Sequence, residues 1–125
     1  NFIIQCLKNE PITIYGDGHQ TRSFCYVQDL VQGLIQMMDS DDQFIGPVNM
    51  GNIEEVSMLN LARQIKDLTQ SSSECIFNDL PQDDPKQRQP SIDLAKQKLN
   101  WEPSTSLEDG LKETISYFKN LFNDL

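Results

Sequence analysis

The chain's three arginines, Arg22, Arg63 and Arg88, are its best candidates for chemistry. Arg22 follows the glycine turn Gly16-Asp17-Gly18. Arg88 lies in a stretch punctuated by Pro81, Pro85 and Pro90. A guanidinium offers a planar fork of N–H groups that can grip a phosphate at two points. Two forks converging from separate irregular segments would suit a diphosphate, and two solvated surface charges would look the same. The residues alone leave both readings open. Arg63 falls inside an expected helix and reads as a surface charge.

Other chemistry is scarce. Gly16-Asp17-Gly18-His19-Gln20-Thr21 approaches the dinucleotide pattern G-x-G-x-x-G, but it ends in Thr21. The residues that follow, Arg22 to Tyr26, do not open a helix, and no suitably spaced ribose-binding acid follows. It reads as a glycine turn after a strand. His19 is the sole histidine, so a histidine-based metal cluster is not expected. Cys6, Cys25 and Cys75 are far apart and odd in number, which suggests buried thiols with no disulfide, redox or metal role. The pairs Asp41-Asp42 and Asp83-Asp84 read as solvated loop acids. No nucleophile–base pair follows from spacing, so no catalytic residue is assigned to this chain.

Composition narrows the partners. The 125 residues suit one domain or part of a larger one, and 38% are hydrophobic, as in ordinary globular proteins. The formal charge of −9 opposes binding to nucleic acid, although a basic cleft could still take a small phosphorylated ligand. No apolar run approaches the roughly 18 residues of a membrane span. The chain opens on Asn1 with a helical stripe at Phe2, Ile3, Cys6 and Leu7, and no methionine precedes it. This start suggests a longer parent protein.

Several elements must hold the arginines. Residues 1–8 read as a helix stopped by Asn9-Glu10-Pro11. Ile12-Thr13-Ile14-Tyr15 is β-branched and aromatic, hence a strand, and Ser23 to Tyr26 can be extended. Asp29 is expected to cap a helix striped by Leu30, Val31, Leu34, Ile35 and Met38. Pro47 to Asn52 reads as a buried strand. Ser57 is expected to cap a helix with Leu59, Ala62, Ile65 and Leu68 on one face. Glu74 to Phe77 is the third expected strand, and residues 80–90 form a long irregular connection. Ser91 is expected to cap a helix over 92–99, which ends at Asn100, a residue tolerant of left-handed backbone. Ser106 caps the last helix, striped by Leu107, Leu111, Ile115, Phe118 and Phe122. The amphipathic stripes are expected to pack into a core. Five helices and three short strands make a thin α/β unit that needs a larger sheet to cover all its apolar faces.

Four segments carry a resemblance. Residues 11–29, Pro-Ile-Thr-Ile-Tyr-Gly-Asp-Gly-His-Gln-Thr-Arg-Ser-Phe-Cys-Tyr-Val-Gln-Asp, resemble P-[IL]-T-[IV]-Y-G-x-G-x-Q-T-R-x-F-x-Y-V-x-D of the extended short-chain dehydrogenase/reductases that act on nucleotide sugars. Residues 46–52 resemble that family's G-P-V-N-L-G-N. Residues 80–92, which contain Arg88, are similar to L-P-x-D-D-P-x-x-R-x-P-D-I of its UDP-glucuronate decarboxylase branch. Leu99-Asn100-Trp101-Glu102-Pro103 resembles L-G-W-x-P. The departures are Asn100 for Gly, Ser91 for Asp, and Asn60 for the Glu that would complete a capping box with Ser57.

The resemblance implies an α/β fold, the C-terminal substrate-binding portion of a Rossmann-type enzyme. Residues 1–125 would be the nucleotide-sugar-binding part, with a separate N-terminal Rossmann domain holding NAD and a Tyr-x-x-x-Lys pair. It implies that the backbone at Thr13 to Tyr15 borders uracil, that Arg22 and Arg88 bind the diphosphate, and that Asn1 lies in a segment approaching the nucleotide. The parent reaction would be NAD-dependent conversion of UDP-glucuronate to UDP-xylose and CO2, by a cytoplasmic homodimer; an upstream membrane anchor is left open. A dTDP-glucose 4,6-dehydratase, a related epimerase, or a non-enzymatic binding or structural module are the alternative readings.

Overall fold

The computed structural model describes residues 1–123. Among these, five helices and four short strands follow the order α1 (Phe2–Leu7), β1 (Ile12–Tyr15), β2 (Thr21–Arg22), α2 (Val27–Met38), β3 (Val56–Ser57), α3 (Met58–Thr69), β4 (Cys75–Asn78), α4 (Asp93–Leu99) and α5 (Leu107–Asn123).

The β-branched strand β1 lies beside β4 in parallel, with Ile12 opposite Cys75 and Tyr15 opposite Asn78. Its alternation buries Ile12 and Ile14 completely, while Thr13 and Tyr15 face away. Ile12 and Ile14 form one core with Cys6 of α1 and with Leu61, Ala62 and Ile65 of α3; Leu107 and Leu111 of α5 pack against it. β2 pairs antiparallel with β3. Between β1 and β2, Gly18 takes φ +81, and a Cβ there would come within 3.1 Å of Leu59, so the turn needs glycine on both counts. A second core gathers Ile92, Ala95, Leu99 and Trp101, with Met37, Val48 and Met50 packed against it.

The expected caps divide. Ser57 Oγ accepts from the Asn60 N–H at 3.1 Å and Ser106 Oγ from the Asp109 N–H at 3.1 Å. Asn100 ends α4 at φ 52, as its tolerance of left-handed backbone suggests. Asp29 is not a cap: α2 starts two residues earlier, Tyr26 occupies the cap position, and the Asp29 carboxylate turns to the chain before α5. Ser91 is not a cap either, since Ile92 precedes the helix and Ser91 Oγ contacts Asp93 instead.

Two other expectations are corrected. Residues 47–52 form no strand: none of the described residues pairs with them, and Pro47, Asn49, Gly51 and Asn52 are poor strand formers. The stripe of α2 does not enter the core: Leu34 is 54% exposed and Met38 83%. Of the cysteines, only Cys6 is fully buried, and Cys25 and Cys75 are half-buried. Burial raises the Cys6 and Cys25 thiols above their usual range, so both are protonated at neutral pH.

Candidate functional site

Two features flank the run from β1 to β2. The first is an open cavity of about 630 Å³, within the range of small-molecule sites. Thr13 and Tyr15 of β1 line it, together with Asn1, Gln20, Phe24 and Tyr26. β1 keeps one edge for β4. On its other edge, two glutamine side chains take up the backbone groups that strand alternation turns outward. Gln5 of α1 accepts from the Thr13 N–H at 3.2 Å and donates to the Thr13 hydroxyl at 3.0 Å. Gln20, largely buried, donates to the Tyr15 carbonyl at 2.8 Å. The Thr13 peptide N–H is therefore already engaged, whereas the Tyr15 side chain stays 51% exposed.

The second feature is the tie between β2 and the loop over residues 79–92. Arg22 donates from Nη2 to Asp84 Oδ2 at 2.7 Å and from Nη1 to the Thr21 carbonyl at 2.7 Å. The pair is partly shielded, with side chains 17% and 30% exposed. The Thr21 N–H donates to the Lys86 carbonyl at 2.9 Å, and Thr21 bridges Gln87 in parallel. Gln89 donates to the Ile53 carbonyl at 2.6 Å. Arg88 sits between these anchors and is exposed. The structure thus brings the loop of Arg88 onto the strand of Arg22. Neither arginine lines the cavity, although Gln20 and Phe24, on either side of Arg22 in sequence, both do. Arg63 is an exposed residue of α3.

Sequence reasoning missed Gln5, Gln20 and Asp84. Asp84 was expected to be a solvated loop acid; it is half-buried against a guanidinium, while its neighbour Asp83 is exposed. Gln20 stands in the segment that carries the resemblance, but nothing in its type announces a bond to Tyr15.

Asp29 organises the far wall. Burial would push its carboxyl up, but Ser104 and Thr105 outweigh this with hydrogen bonds from both N–H groups and both hydroxyls, holding it below the ordinary 3.8. Thr105 and Ser106 line the cavity, so this carboxylate fixes part of the wall.

The Gly16–Thr21 turn does not fit a dinucleotide. The next element is β2 rather than a helix. The Gly16 N–H is spent on the Asn78 carbonyl, and the His19 N–H on Asp17. The N-terminus of α3 does meet the turn, but its Met58 and Leu59 N–H groups donate to the Gln20 and Gly18 carbonyls at 3.0 Å each, so they are not free to hold a pyrophosphate.

Residues 1–114 match the family described as GDP-mannose 4,6 dehydratase, and the chain belongs to that family. Among curated relatives, it is 50% identical over 119 residues to UDP-glucuronic acid decarboxylase 1 of Xenopus tropicalis, covering 95% of this chain and 28% of that protein. It is 47% identical over 120 residues to UDP-glucuronic acid decarboxylase 1 of Arabidopsis thaliana, covering 96% of this chain and 27% of that protein. The chain therefore spans little more than a quarter of these relatives. Among solved structures, it superposes on UDP-glucuronic acid 4-epimerase from Bacillus cereus in complex with UDP-glucuronic acid and NAD. The TM-score is 0.89 at 33% identity, over 96% of this chain and 38% of that one. UDP-glucose 4-epimerase from Thermotoga maritima, with UDP-glucose, gives 0.89 at 30% identity, over 97% and 38%. The α/β fold with short strands is thus that of extended short-chain dehydrogenase/reductase epimerases.

Proposed function

We propose that this chain is the nucleotide-sugar-binding part of a UDP-glucuronate decarboxylase. The parent converts UDP-glucuronate to UDP-xylose and CO2, using NAD held by a separate N-terminal Rossmann domain, and works as a cytoplasmic homodimer. The observation that carries the reading is the high identity to the decarboxylases over nearly the whole chain, 47% and 50%, against 30% and 33% to the two epimerases. The Arg22–loop arrangement is its physical counterpart. In this reading Thr13 and Tyr15 border the uracil, with Tyr15 offering an exposed ring and Thr13 a wall already fixed by Gln5. Arg22 and Arg88 grip the diphosphate, since each can give charge-assisted hydrogen bonds to phosphate oxygens. The chain's residues bind and orient the sugar nucleotide, and the catalytic groups belong to the other domain.

This division of labour is tested on the chain alone. The isolated 125-residue chain is expected to bind no NAD and to leave UDP-glucuronate unchanged. Fluorescence titration with NAD and chromatography of the nucleotide sugars read both. Turnover by the pure chain would overturn the proposal.

A further inference from the structure

We propose that Asp84 is a positioning residue for the diphosphate site, an inference that rests on the function proposed above. Asp84 holds the Arg22 guanidinium at 2.7 Å while the Thr21 carbonyl holds its other terminal nitrogen at 2.7 Å. These contacts use only part of the donor set of a guanidinium, so N–H groups are left over for phosphate oxygens. An arginine fixed before the ligand arrives loses less side-chain freedom on binding.

The same contact governs Arg88. The loop is tied to the rest of the molecule at three places: at Asp84 through Arg22, at Lys86 and Gln87 through Thr21, and at Gln89 through the Ile53 carbonyl. Arg88 lies between the second and third ties. Asp84 is the only one of these anchors made by a charged pair, and it joins the two arginines' segments directly. Its charge also makes the idea easy to contradict. A carboxylate that merely occupied the phosphate position would repel the ligand, and its removal would tighten binding. A carboxylate that positions the fork gives the opposite sign.

The test measures calorimetric affinity for UDP and, by competition, for uridine, on the intact protein that carries this chain. Asp84→Ala is expected to weaken UDP about tenfold and to leave uridine unchanged, because uridine lacks the phosphates. Asp84→Asn, which keeps an acceptor of the same shape, should recover most of that loss and controls for folding. Arg63→Ala should match the unaltered protein. In turnover, Asp84→Ala should raise KM for UDP-glucuronate far more than it lowers kcat. Unchanged or tighter UDP binding by Asp84→Ala would overturn the inference, as would equal losses for UDP and uridine. If Arg22→Ala weakens UDP while Asp84→Ala does not, the inference alone fails. If the unaltered protein does not bind UDP, the diphosphate reading falls with it.

Discussion

Arg22 and Arg88 differ in their preparation: Arg22 is already held by an ion pair, and Arg88 stands exposed on a tethered loop. If both grip the diphosphate as proposed, replacing either by Ala in the intact protein should remove charge-assisted hydrogen bonds worth about 2–4 kcal/mol, a loss of about 30- to 1000-fold in kcat/KM. Lysine at either position should restore only part, since a point charge cannot fork. Arg63→Ala should leave kcat/KM unaltered. Equal small effects at Arg63 and Arg88 would return Arg88 to the surface-charge reading. Asp29 gives a residue-scale test of stability. Its folded-state carboxyl lies below 3.8, so its contribution is fully present above that value and is lost as pH falls through the depressed folded value. Asp29→Ala should therefore lower stability at neutral pH by about 2–4 kcal/mol, with the gap closing in strong acid. Urea unfolding at neutral and at acid pH measures this; a gap that does not narrow would contradict it. Arg22 and Arg88 stand out in the sequence because the chain has only three arginines and both lie near glycine or proline. Asp84 does not, since a pair 62 positions apart leaves no local pattern.

Among the elements, α2 shows why periodicity is an incomplete guide. Its stripe was visible in the sequence, yet the face that packs is the one carrying Asp29 and Gly33. The Trp101 indole donates to the Asp29 carbonyl at 2.8 Å and lies against the helix. A Cβ on Gly33 would stand 2.7 Å from Met50 Sδ and 3.0 Å from the Trp101 ring. The sulfur can move, but the buried ring cannot do so cheaply. Gly33→Ala should thus cost about 1–3 kcal/mol despite the better helix propensity of alanine, read as a lower thermal midpoint. A raised midpoint would show that the packing relaxes freely. Residues 47–52 teach the complementary lesson. The alternating apolar pair Val48 and Met50 suggests a strand, but a strand exists only with a neighbour to share its hydrogen bonds, and none of the described residues supplies one. Ser57, Ser106 and Asn100 were readable because each acts within a few residues of itself.

At the scale of the whole molecule, the exposed stripe of α2 is an apolar face without a partner among the described residues. Val27, Leu30, Val31, Leu34, Ile35 and Met38 all face outward on one helix, whereas α1 packs against the first core. Single exposed apolar residues are ordinary, but a continuous helical face is not. The isolated chain should self-associate, and Leu34→Glu should shift light scattering toward the monomer; a compact monomer without the substitution would contradict this. Among the described residues no helix is long and apolar enough to cross a membrane.

What the intact protein does to its substrate is decided by the product. Decarboxylation and 4-epimerisation of UDP-glucuronate can be separated by one measurement: incubation of the intact protein with UDP-glucuronate and NAD, followed by nucleotide-sugar chromatography and quantification of released CO2. Under the decarboxylase reading, UDP-xylose and CO2 in equal amounts are expected. UDP-galacturonate without CO2 would contradict it and place the chain with the 4-epimerases that it resembles in structure.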